Sequence, residues 1–240
     1  MGYALNKIEQ LEIEIEELKK MNNTKLLVKN AKMNKTNRKE GVSVFNYGIP
    51  AYKSERQNMI TCPMAKDCVK PCYARQGTYT WTPTKNAYEN RLEHYFNGTL
   101  TSTIMKEIKS KRRITHVRVH DSGDFFSKAY LANWIRIAEN HKDVVFYAYT
   151  KTVSWVKEFE SLDLIPKNFI FIFSYGGYED HLIDPEKDRH SKVFKDSESL
   201  PSTYVNASDN DLLAIGENKN IGLIYHGYKK NNVELKGEAA

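Results

Sequence analysis

All three cysteines of this 240-residue chain fall in one stretch, as Cys62, Cys68 and Cys72, with five and then three residues between them. Three thiols cannot pair off as disulfides without leaving one over. Thiolates crowded this closely are usually held by a soft cation, so a metal centre is the chemistry to expect. A structural zinc ion wants four protein ligands, and the fourth would have to come from His94, His116, His120 or an acid. A [4Fe-4S] cluster on three cysteines needs no fourth protein ligand and leaves one iron open to a small molecule. Three reduced structural thiols are the remaining reading, but Pro63, Lys66, Asp67, Lys70 and Pro71 make poor core material. The count of three and the polar, proline-stiffened loop favour the cluster, with Cys62, Cys68 and Cys72 as its ligands.

The other candidates sit where strands should end. In parallel α/β folds, sites gather at the C-terminal ends of the strands. Three apolar runs end in His120-Asp121-Ser122-Gly123-Asp124, in Thr150-Lys151-Thr152 and in Ser174-Tyr175-Gly176-Gly177. His120 suits a fourth cluster ligand or a proton carrier, and Asp121 or Asp124 a cation or an amine. Ser122 completes that run, and Lys151 would present an ammonium to a carboxylate or phosphate at the same rim. Plainer roles compete: Gly123 relaxes a βα turn, Asp124 or Ser127 caps the following helix, and Lys151 points to solvent. The Gly176-Gly177 pair would let backbone amides approach a ligand, or simply make a turn. Glu179, His181 and His190 follow with no ligand spacing.

Those residues need a scaffold, and the apolar pattern supplies one. Segments 25–30, 42–47, 115–120, 144–149, 168–174, 203–206 and 221–225 read as strands. Segments 83–96, 101–111, 128–140 and 153–162 read as helices, and 209–215 as a turn or two of helix. The run Phe169-Ile170-Phe171-Ile172-Phe173 is what a strand buried on both faces looks like. Alternating strands and helices imply a mainly parallel sheet. A closed eight-stranded barrel typically takes about 250 residues, so the expected fold is α/β, a TIM-like (βα) partial or compact barrel. An N-terminal charged helix over 1–22, with Ile8, Leu11, Ile15 and Leu18 on one stripe, would precede a domain at 23–228. That helix would pack on the domain or pair two copies into a homo-oligomer. The polar tail 229–240 reads as disordered.

Bulk properties narrow the class. No apolar run reaches the roughly 20 residues of a membrane span, and no secretory leader opens the chain, so a cytoplasmic protein is expected. Free thiols suit that reducing compartment. The formal net charge of +6 allows nucleic acid as a partner. The densest basic run, Lys109-Ser110-Lys111-Arg112-Arg113, falls at a helix end, where cations favour the dipole, and reads as solvated.

Two likenesses rest on these motifs. The stretches Thr61-Cys62-Pro63-Met64-Ala65-Lys66-Asp67-Cys68 and Cys72-Tyr73-Ala74-Arg75-Gln76-Gly77-Thr78-Tyr79 resemble a bacteriophage family catalogued as gene product 88. So do Arg118-Val119-His120-Asp121-Ser122-Gly123-Asp124-Phe125 and Phe146-Tyr147-Ala148-Tyr149-Thr150-Lys151, and the likeness runs from about residue 25 to 225. It implies a phage-encoded protein working in the host cytoplasm. More distantly, a three-cysteine loop before a βα barrel is similar to radical S-adenosylmethionine enzymes, whose cysteines stand closer together than the five-and-three spacing here. That likeness implies a [4Fe-4S] cluster on Cys62, Cys68 and Cys72, S-adenosylmethionine at the open iron, and an enzyme with His120, Asp121, Ser122, Asp124 and Lys151 lining its pocket. The alternative is a non-catalytic module, stapled by zinc or a cluster, that binds nucleic acid or a host protein.

Overall fold

The structure is a computed structural model describing residues 24–110 and 113–225. The expected N-terminal helix and the polar tail lie outside the described residues.

The chain enters through Leu26 and Leu27, both buried, whose amides donate to the Glu107 carboxylate at 2.7 and 3.1 Å. The strand expected over 25–30 is reduced to a single antiparallel bridge between Val28 and Asn46. A helix unforeseen in the sequence then follows, α1 (Ala31–Glu40). Asn30 caps it by accepting from Met33 N at 2.9 Å, and Gly41 ends it in the left-handed region at φ 66°. Only Met33 and Thr36 are buried on it, so it has no apolar stripe for periodicity to reveal.

Strand β1 (Val44–Tyr47) is followed by a two-strand hairpin, β2 (Lys53–Ser54) and β3 (Met59–Ile60). Next come the cysteine loop, α2 (Thr82–Phe96) and α3 (Leu100–Ser110). The chain then alternates as expected: β4 (His116–Val119), α4 (Lys128–Glu139), β5 (Val145–Thr150), α5 (Val153–Ser161), β6 (Phe169–Ser174). Three more strands complete the sheet: β7 (His190–Phe194), β8 (Val205–Asn206) and β9 (Asn220–Ile224). Between the last two, Asp211–Ile215 forms a 3-10 turn.

The seven strands pair in the order β1-β4-β5-β6-β7-β9-β8, parallel at every step, as a curled half-barrel. Alternation gives the sheet two unlike faces. Val117, Val119, Phe146, Ala148, Phe169, Phe171 and Phe173 bury against the helical layer, where Trp134, Tyr130 and Leu131 of α4 meet them. The other face collects Val44, Tyr147, Ile172 and Ile221, covered by Met33 of α1 and by Ala207 and Ala214. Because every strand is parallel, every C-terminal end points to the same rim, and the cysteine loop lies across it.

Candidate functional site: a thiol loop on the strand ends

The loop is pinned from two sides. On one, Tyr52 takes φ 66° and donates its amide to Cys62 Sγ at 3.4 Å, while Thr61 N returns to Tyr52 O at 2.8 Å. Thr61 O also accepts from Asp124 N at 3.0 Å, tying the first cysteine to the loop after β4. On the other side, Gly176 O accepts from both Lys66 N and Cys68 N, at 3.2 and 3.3 Å, and Tyr178 N donates to Met64 O at 2.9 Å. Gly176 sits at φ 96°, where a side chain would be strained. Asp180 holds it there, accepting from Gly176 N and Gly177 N at 2.8 Å each. The amides expected to meet a ligand are therefore spent on Asp180. Beyond Cys72, the Tyr73 hydroxyl donates to Asp121 O.

The three thiols are half-buried and act on one another. Burial pushes Cys62 up, and the charges of Asp124, Cys72 and Cys68 push the same way. Cys68 is also raised by burial, with the Lys151 ammonium pulling it back. Cys72 is raised by burial and by Cys68, against the amide of Ala74 and the charges of Arg75 and Lys151. A cation is what such a trio needs to become thiolates.

The donor set itself tests which cation fits. Zinc lies about 2.3 Å from each sulfur, so its ligands must converge on one point. Among the described residues, no three His, Cys, Asp or Glu side chains do so. Two of the nearby acids are already occupied. Asp124 already accepts from Phe125 N at 2.7 Å, Thr150 Oγ1 at 2.7 Å and Lys151 N at 2.9 Å, and Asp180 is committed to its two glycines. A cubane takes each thiolate on a different iron, so it accepts sulfurs set further apart and asks for only three. By count, Cys62, Cys68 and Cys72 would supply the three thiolates such a group asks for.

The structure separates the expected pocket residues. Lys151 reaches the mouth, donating to Ser174 O, Ser174 Oγ and Tyr175 O at 2.9, 2.8 and 2.8 Å, with its charge felt by Cys68 and Cys72. Asp124 stitches the β4 loop to the end of β5; burial raises its carboxyl although Thr150 and two amides pull it down. Asp121 is buried against Asn30 Nδ2 and the Tyr88 hydroxyl, at 3.3 and 3.2 Å from Oδ2, and burial raises it against Arg118 and Arg91. Gly48 makes room for it, since a Cβ there would lie 2.1 Å from Asp121 Oδ1. Ser122 enters through its carbonyl, which accepts from Ile49 N at 3.0 Å.

His120 turns elsewhere. It takes φ 67°, a region His enters more readily than most residues, and its ring packs among Tyr47, Phe125, Tyr130 and Trp134. Its Nε2 meets the Tyr130 hydroxyl at 2.9 Å. The left-handed turn breaks the strand's alternation and delivers the imidazole to the helical face. His94 and His116 bond to Thr99 and Thr115. Glu179 accepts from Ser154 N and Oγ in the first turn of α5, and His190 meets the Tyr204 hydroxyl at 3.1 Å.

A buried polar cluster on the second sheet face went unread. Asp211 pairs with Lys32 at 2.6 Å and Arg118 at 3.1 Å and accepts from the Tyr147 hydroxyl. Burial would raise its carboxyl, but Arg118 and Lys32 win and hold it below the usual range. On the same face, Asn46 Nδ2, Arg118 Nε, Tyr149 Oη and Ser191 Oγ are buried without a hydrogen-bond partner. The one signal is Arg118 at the third residue of β4, a charge set between two buried valines.

The chain matches the family described as "Gene product 88" over residues 17–238. It belongs to that family. A "Gene 88 protein" of Mycobacterium phage D29 is 30% identical over 102 residues, 38% of this chain and 42% of the relative. That of Mycobacterium phage L5 is 29% identical over 102 residues, 38% of this chain and 43% of the relative. The chain thus aligns with less than half the length of these two relatives. No solved structure matches. Among the described residues, no helix is long and apolar enough to cross a membrane.

Proposed function

We propose that this member of the gene product 88 family is an iron–sulfur protein in which Cys62, Cys68 and Cys72 hold a [4Fe-4S] cluster at the strand-end rim. One observation carries the reading: three half-buried thiols share one loop on the strand-end rim, Cys62 feeling the charges of Cys68 and Cys72, and Cys72 that of Cys68, while Asp124 and Asp180 beside them are already committed. Bound there, a cluster would supply a one-electron centre with one iron open to a small-molecule ligand. The chain's own residues do the rest. Lys151, held by three oxygens, sets a fixed positive charge beside Cys68 and Cys72 and offsets thiolate charge. Asp124 and Asp180 hold the two loops on which the thiol loop rests. The family's phage relatives support a phage-encoded protein acting in the host cytoplasm.

The order of a three-cysteine loop before βα units supports the finer proposal that S-adenosylmethionine is the ligand of the open iron, which would make the protein an enzyme. Anaerobic purification with iron and sulfide analysis tests the cluster. About four of each per chain are expected, lost in Cys62→Ser, Cys68→Ser or Cys72→Ser. A colourless protein with stoichiometric zinc overturns the reading. An electron paramagnetic resonance spectrum of the reduced protein that shifts on adding S-adenosylmethionine supports that cofactor, and an unchanged spectrum removes it.

A further inference from the structure

The thiol loop is ringed by cations paired with tyrosine rings rather than with acids. Arg75 lies 5.5 Å from the centre of the Tyr52 ring, Lys66 lies 5.9 Å from Tyr178, and Lys192 lies 4.6 Å from Tyr175. Two pairs touch the loop directly, and the third lies beside it through Lys151. Tyr52 bonds Cys62, Tyr178 bonds Met64, Tyr175 bonds Lys151, and Lys66 bonds the carbonyl that also holds Cys68. Three of the seven cation–π pairs among the described residues lie around this one short loop.

The charge at this rim is unbalanced. Among the described residues, Lys66, Lys70, Arg75, Lys151 and Lys192 form no ion pair, as is true of several cations elsewhere on the chain, but here five such cations surround one short loop. Of the neighbouring acids, Asp124 and Asp180 spend their oxygens on hydrogen bonds, and Asp184 and Asp188, which act on Tyr175, pair with Lys187 and Lys157, so only the exposed Asp67 is left to face these cations. The same rim shows part-open rings: Tyr178 is 61% exposed with Lys66 over one face, and Tyr73, next to Cys72, is 46% exposed with its hydroxyl on Asp121 O and its ring against Tyr79. A surface that offers both unbalanced positive charge and open aromatic faces suits a partner that is at once polyanionic and flat-faced.

We infer that this rim binds single-stranded nucleic acid, with phosphates on Lys66, Lys70, Arg75 and Lys192 and unstacked bases on Tyr178 and Tyr73. An acidic peptide would satisfy the cations and leave the rings unused. A duplex would satisfy the cations too, but its bases are already stacked on each other. The inference rests on the proposed cluster site only for its location, and it names the substrate class brought to that mouth.

The test is fluorescence anisotropy of the full chain with a labelled oligothymidylate of roughly 12 nucleotides, within the site size of such proteins. Binding tighter than to a duplex of equal length is expected. The logarithmic salt slope should be about −3, from four neutralised phosphates at about 0.7 each. Tyr178→Ala should weaken binding roughly tenfold and Tyr178→Phe should not, while Lys66→Ala should lower the slope by about 0.7. Both residues are exposed, so circular dichroism should show the variants folded. Equal or tighter duplex binding, displacement by polyglutamate at matched charge, or no effect of Tyr178→Ala would each overturn the inference. Binding that persists in Cys68→Ser protein without iron separates it from the cluster reading, because nucleic-acid affinity is then read where no cluster is present.

Discussion

At the scale of single residues, which groups meet depends on the element each one ends and on the backbone angle it takes there. The cysteines, Asp124 and Lys151 could be brought together on paper because each follows a recognisable strand or loop, and parallel pairing sends those ends to one rim. His120 could not be placed, because its direction depends on one backbone angle that no side-chain pattern encodes. Asp211 was hidden for a different reason. Its partners Lys32, Arg118 and Tyr147 come from three distant parts of the chain, so only the fold assembles them. Asp211→Asn tests what that cluster does. It would leave the buried Arg118 and the part-buried Lys32 without their counter-charge, so a loss of about 3 kcal/mol is expected in urea unfolding. A paired Arg118→Met, Asp211→Leu change should recover much of it. An Asp211→Asn protein as stable as the parent would show that water already screens the pair.

At the scale of elements, legibility tracked apolar content. Strands β5 and β6 and helices α2 to α5 were readable because each carries an apolar run or stripe. Helix α1 was not, because its ends are set by the Asn30 cap and Gly41 while its body is polar. Strand β7 was missed because His190, Ser191 and Lys192 look like loop, yet pairing with β6 and β9 fixes them in the sheet. The loop after β6 is the element on which the site most depends, and its shape is set by one side chain. Asp180→Ala would strip the Gly176 and Gly177 amides of their acceptor, so the carbonyl that bonds Lys66 and Cys68 would lose its fixed direction. The expected cost is roughly 1–2 kcal/mol in stability and, in protein carrying the proposed cluster, faster loss of iron to a chelator. Retention of iron at the parental rate would mean that the thiol loop holds its own shape.

For the whole molecule, the parallel sheet explains both the rim and an acid liability. A seven-strand parallel sheet buries its two faces under different layers, and His120 lies inside the helical one. Burial pulls its imidazole down to about 3, with only Tyr47, Phe125, Tyr130 and Trp134 facing the ring and no charge among them. The unfolded chain, with His near 6.5, therefore binds a proton over a pH range in which the folded chain does not. Stability contributed by the neutral ring is complete above about pH 6.5 and declines as pH falls, by about 1.4 kcal/mol per unit, until the folded value is reached. Asp121 and Asp124 act in the opposite sense, since burial raises them and protonation relieves that cost. Comparing parent with His120→Asn cancels those terms and keeps a residue that tolerates the left-handed turn. Between pH 6 and 4, the parental stability should fall more steeply than the variant's by about 1.4 kcal/mol per unit. Parallel slopes would mean that the imidazole is charged in the folded chain, which its apolar setting forbids unless the helical layer opens to water.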